Sequence, residues 1–180
     1  MRKLDELPFH LAMSGRYEDL ISICLGSFAW LYAKLAACGV AAVHVDYDRA
    51  QAMPAFVCNT KLSSACRLIS GALRLATSVL QLHPGQLAQQ LRGRLVHCVA
   101  EHAPIAALIA EISEHHRSIA GSRCDEARPA VVVNPGGQTL LPSGGPLQML
   151  LHGHTMEVTS LAVSRDGLRL LTGSGDARGA

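Results

Sequence analysis

The stretch LSSACRLISGALRLATSVLQL, residues 62–82, decides the fold class. Read in sevens, Leu62, Ile69 and Ala76 form one row, Cys66, Leu73 and Leu80 a second, Ala65, Ala72 and Val79 a third, and Leu68, Leu75 and Leu82 a fourth. Four apolar rows leave a narrow polar strip of Ser63, Ser70, Thr77, Arg67, Arg74 and Gln81. A helix wrapped this far must pack on two sides, as in a stack of helical hairpins and unlike a lone surface helix. The remaining row, Ser64, Gly71 and Ser78, is small and would let another backbone approach closely.

Working outward, apolar residues keep helical spacing from Met1 to about Ile119. Breaks are expected at Ser14-Gly15, Gly26-Ser27, Cys38-Gly39, Pro54 and His83-Pro84-Gly85, where the chain carries its strongest punctuation. Two further helices are predicted: one from Gly85 to about Val99 with Leu87, Leu91 and Leu95 inward, the other opening at Pro104 with Ile105, Leu108, Ile109 and Ile112 inward. The bulk must come from aliphatic side chains, because 49% of the 180 residues are hydrophobic but only 4% aromatic. The reading is a mainly α chain, an antiparallel helical array.

Six scattered cysteines without a CxxC pair, and an N-terminus that turns acidic and polar, predict reduced, mostly buried thiols in a cytoplasmic protein. The uncharged run Leu20–Ala33 is shorter than the roughly 18 to 20 residues a bilayer needs. Lys34 follows it, and a central lysine costs about 2.5 to 3.5 kcal/mol to insert. Buried core helices are therefore expected there.

After Ile119 come GSRCDEARP, NPGGQ and PSGGP, whose Gly and Pro clusters read as a surface linker with AVVV (130–133) as a short strand inside it. Alternation then becomes β-like at Leu147, Met149 and Leu151, at Val158, Ser160 and Ala162, and at Leu168, Leu170 and Thr172. Three strands with an Asp166-Gly167 turn are expected. The organisation predicted is a helical domain over 1–120, a linker over 121–146 and a short antiparallel β segment over 147–180.

In that last segment Gly153-His154, the strand Val158–Val163, Asp166-Gly167, the strand Leu168–Ser174 and Asp176 fall in the order and spacing of a WD repeat, the blade of a β-propeller, which the segment resembles. The resemblance implies a polar network in which His154 bonds Asp176 and a strand hydroxyl, Thr172 or Ser174, and a tryptophan on the next strand completes the set. Trp30 is the only tryptophan, so that member is missing. At least about three such repeats are normally needed for stability, so the segment is expected to be an incomplete first blade and the chain a piece of something longer.

The N-terminal part carries a second resemblance, through Arg2, Asp5-Glu6-Leu7-Pro8, His10-Leu11, Gly15-Arg16, Trp30-Leu31 and Lys34-Leu35, and later through PGQLAQQLRGRL and PSGGPLQMLLHGHT. These are similar to the helical region between nucleotide-binding domain and propeller in NACHT and WD repeat domain-containing proteins. That implies an intracellular signalling scaffold with an NTPase module and a partner-binding propeller. No GxxxxGK[ST] and no Gly-Lys pair occur in the sequence, so nucleotide binding is not expected of these residues.

Other chemistry has thinner support. Cys98 and His102 with His97 and Glu101, and His115-His116, offer metal or thiolate spacing but too few ligands. No acidic residue falls between Asp48 and Glu101, while Arg67 and Arg74 share a helix face, a candidate surface for an acidic protein partner. Phe56 is the one Phe, Tyr or Trp in that span, too few aromatics to stack bases, so nucleic acid is not expected. The expectation is a non-enzymatic interaction module with no cofactor, no metal, no membrane contact and protein partners. The alternative is a free-standing helical adaptor whose strand-like tail pairs with a partner's sheet edge.

Overall fold

The computed structural model describes residues 2–121, 140–151 and 153–176, and the chain divides into two compact units, Met1–Met149 and Leu150–Ala180. The first is helical: α1 (Arg2–Met13), α2 (Tyr17–Asp19), a π-helical turn (Leu20–Leu25), α3 (Phe28–Gln51), α4 (Pro54–Cys58), α5 (Thr60–Leu75), α6 (Thr77–Leu82), α7 (Leu87–Leu95) and α8 (Ala103–Gly121). Short 3-10 turns at Pro84–Gln86 and Val96–Cys98 flank α7. The expected AVVV strand lies outside the described residues.

Every expected break is present. Gly15 has a positive φ after α1, Gly26 ends the π-helical turn, Pro54 starts α4 and Pro84 starts a 3-10 turn. Gly39 interrupts α3 at φ 80° and ψ 171°, a conformation far outside the helical region that a side chain would strain. By length and composition α3 is the one described helix that could cross a membrane. In the structure it is broken at Gly39 and packs against α1, α5, α6 and α8.

Helix α5 is the hub of the core. Ala65, Cys66, Ile69, Ala72 and Leu73 are all buried, and the helix packs against α3, α7 and α8. The stretch departs from its sequence pattern in two ways. The polar strip is not all at the surface, since Ser63 and Ser70 are buried. Nor is 62–82 one helix: it bends at Ala76, where the Thr77 hydroxyl donates to the Leu73 carbonyl at 3.1 Å and draws that acceptor toward a side chain. Beyond the bend Leu82 stands in solvent.

The small row admits a close neighbour at Gly71, although it is the Ser143 side chain and not a backbone that comes nearest. A Cβ there would lie 2.6 Å from Ser143 Oγ, because residues 140–145 are laid across α5 and α7. The Leu140 amide donates to Gly93 O at 3.3 Å, the Ser143 amide to Arg94 O at 3.2 Å, and Arg94 Nη1 to Leu141 O at 2.9 Å. The Ser143 hydroxyl donates to Leu68 O. The PSGGP segment, expected as linker, is thus a clasp on the helical unit, held because Arg94 is buried and needs acceptors.

The α3 break carries a buried ion pair. Lys34 before Gly39 meets Asp46 after it, with Asp5 Oδ1 of α1 at 3.2 Å and the Leu4 carbonyl at 3.0 Å completing the ammonium's shell, and the Trp30 ring centroid 5.3 Å away. Lys34 is 1% exposed and Asp46 4%. Burial raises the Asp46 carboxyl above the usual range, opposed by Lys34. The same burial, with Asp46 adding to it, pushes the Cys24 thiol up to about 11.

The second unit is an antiparallel hairpin of β1 (Val158–Val163) and β2 (Leu170–Ser174). Pairs run Val158 with Ser174, Leu161 with Thr172 and Val163 with Leu170, with an irregularity between Val158 and Ser160. Residues 147–151, expected as a third strand, form no ladder among the described residues. An extended segment needs a partner edge for its backbone groups, and alternation in sequence does not supply one.

Candidate functional site

The hairpin's polar network is built from its two flanks. His154 precedes β1 and Asp176 follows β2, so pairing the strands brings residues 22 positions apart into contact. His154 Nδ1 lies 3.2 Å from both Asp176 oxygens and Nε2 lies 2.7 Å from Thr172 Oγ1. A carboxylate only accepts, so Nδ1 is the nitrogen that donates to Asp176, and Nε2 shares a hydrogen bond with the Thr172 hydroxyl. Asp176 Oδ2 also accepts the Thr155 amide at 2.8 Å, and the Asp176 amide donates to Ser174 Oγ at 3.4 Å. The His154 and Asp176 side chains are 10% and 4% exposed, although β1 is exposed throughout and β2 is exposed at Leu170 and Leu171. Of the two hydroxyls expected beside His154, Thr172 takes that place, whereas Ser174 bonds the Asp176 backbone.

The turn is closed the same way. Gly167 has φ 72°, Ser164 and Arg169 pair their backbones at 2.9 Å, and Asp166 Oδ1 accepts the Leu168 amide at 3.0 Å and the Ser164 hydroxyl. Those bonds, the Ser164 hydroxyl first, hold the Asp166 carboxyl below its ordinary value. Gly153 has open space around its α-carbon, so no close approach demands it among the described residues.

The chain is similar to a segment of NACHT domain- and WD repeat-containing protein 1. The mouse protein of that name is 29% identical over 180 residues and the human one 32%; both alignments cover 98% of this chain. The chain spans about 10% of the length of each. No family model matches the chain, and no solved structure matches it. The similarity to the NACHT and WD repeat relatives thus runs through the helical unit and the hairpin alike.

The remaining candidates are dispersed. On the expected basic face Arg67 is exposed, but Arg74 is ion-paired with Asp48 of α3. Elsewhere in the basic run Arg92 donates to Ser113 at 2.9 Å and Arg94 is spent on the clasp. Cys98 Sγ lies 3.0 Å from His97 Nε2, while His102 Nδ1 is 3.5 Å from Ser64 Oγ, so Cys98 and His102, whose spacing alone suggests metal or thiolate chemistry, have different partners. Among the described residues no three His, Cys, Asp or Glu side chains are grouped as a metal site. Burial raises the Cys98 thiol, with Glu101 adding to it, and pushes Cys66 up to about 12. The five described cysteines are free thiols.

Sequence reading missed one capping residue. Glu111 Oε2 accepts the Phe28 amide at 2.7 Å and the Ser27 hydroxyl at 3.2 Å, closing the start of α3 from α8. The local signal, Ser27 before a helix, points to self-capping; nothing in a linear window shows a cap 83 residues away.

Proposed function

We propose that the chain is a non-catalytic connector of a cytoplasmic NACHT and WD repeat signalling scaffold, a helical array that leads into the first blade of a propeller whose partners are proteins. The observation that carries this reading is the His154–Asp176–Thr172 network beside strands that leave Val158, Leu161, Val163, Leu168 and Leu171 more than half exposed. A polar register of this kind beside apolar strand faces that water still reaches is what a blade awaiting its neighbours would carry. The thiols held protonated by burial suit a structural part better than a nucleophilic one.

Hydrogen exchange tests it. The 180-residue chain is compared with a chimaera that continues from Ala180 into the downstream repeats of the mouse relative. Fast exchange of β1 and β2 amides in the chain alone, and slow exchange in the chimaera, is the expected result. Equal protection of the strands in both would refute the blade reading, and hydrolysis of ATP or GTP by the purified chain would refute the non-catalytic one.

A further inference from the structure

An open cleft of about 630 Å³ lies between the start of α3 and the second half of α8. Three rings line or back it: Phe28 and His115 with centroids 4.9 Å apart, and Tyr32 6.0 Å from each. Phe28 is buried beneath, while Tyr32 is 40% exposed, so part of that side chain still meets water. Two carboxylates edge the cleft. Glu111 accepts the Phe28 amide and the Ser27 hydroxyl, both with Oε2; Glu114 is ion-paired with Arg117, each side chain about two-thirds exposed. A pair that exposed contributes little and exchanges readily for another cation.

We propose that this cleft holds an arginine side chain from a basic segment of a partner protein. The cleft's chemistry selects that occupant over its rivals. A purely apolar side chain would cover Tyr32 and Ala29 but strip water from Glu111 and Glu114 without replacing it. An anion would be repelled by both. A guanidinium lies flat on the exposed ring, drawn by its electron-rich face, and its N–H fork donates to the carboxylates while the methylene stem covers Ala29. Lysine would supply charge without the planar surface.

The test titrates the full 180-residue chain with N-acetyl-arginine amide while the ring resonances of Tyr32 and His115 are followed by NMR. Both should move, and the uncharged isostere N-acetyl-citrulline amide should move them several-fold less at equal concentration. Tyr32→Leu should weaken binding about three- to five-fold. Glu114→Gln should weaken it about two-fold. Equal shifts with citrulline overturn the proposal, and that comparison needs no variant. Titration curves unchanged by both substitutions in chains of unaltered helicity overturn it as well.

Discussion

The helical unit and the hairpin treat polar groups in opposite ways. In the helices, charge is carried inward: Lys34 and Asp46 sit inside an aliphatic core, and Arg94 is buried to bind the clasp. In the hairpin, the apolar side chains face water and the histidine–aspartate pair is the shielded part. The first unit has enough surface to bury that it can satisfy a few costly groups; the second has a specified register and little core. Stability and geometry are therefore separable in this chain, and substitutions can tell them apart.

The comparison is broken most severely at Lys34. Lys34→Met leaves Asp46 buried without its counter-charge and should destabilise the helical unit by about 3 to 5 kcal/mol, read by urea unfolding followed by helical circular dichroism. The double variant Lys34→Met/Asp46→Leu should recover most of that loss, while hairpin amide shifts stay where they are. Gly71→Val drives a side chain into Ser143 and should cost about 1 to 3 kcal/mol, with faster exchange of the Leu140 and Ser143 amides marking release of the clasp. In the hairpin, His154→Ala removes two bonds at a partly solvated site and should cost about 1 kcal/mol. Loss of cross-strand contacts between Leu161 and Thr172 in NMR spectra, at unchanged helicity, is the readout.

The smallest effect is on pH dependence. His44 is held below 6.5 by burial and by Arg74, against Asp48, and His116 is lowered by burial, His115 and Arg92. The folded state then binds fewer protons than the unfolded chain between those lowered values and 6.5. Stability is present above that window and falls as the pH drops through it. His44→Gln/His116→Gln should flatten this slope of the helical unit's melting temperature between pH 7 and 5.

Breaks and core faces were legible because both are local. Gly39, Pro54 and Pro84 act through their own backbones, and Ile105, Leu108 and Ile112 repeat at helical spacing. The hairpin network was legible for another reason: His154, Thr172 and Asp176 are brought together by one turn, so their spacing in sequence fixes their meeting. What stayed hidden depends on distant chain. Lys34 reads as a charge interrupting an apolar run, and only the break at Gly39 lets Asp46 reach it. The burial of Ser63 and Ser70 was not legible, because helical rows say nothing about how many neighbours a helix has. PSGGP has the composition of a linker, and its docking is decided by Gly71 and Arg94, elements away. Residues 147–151 alternate like a strand, yet pairing is a property of two segments.

The reach of Glu111 to the Phe28 amide has a bearing on synthesis at the ribosome. When residue 100 has left the exit tunnel, every residue of α3 is outside it but the group that closes the helix is not. The opening turn of that helix waits on the last one, so the unit locks only after most of it has been translated.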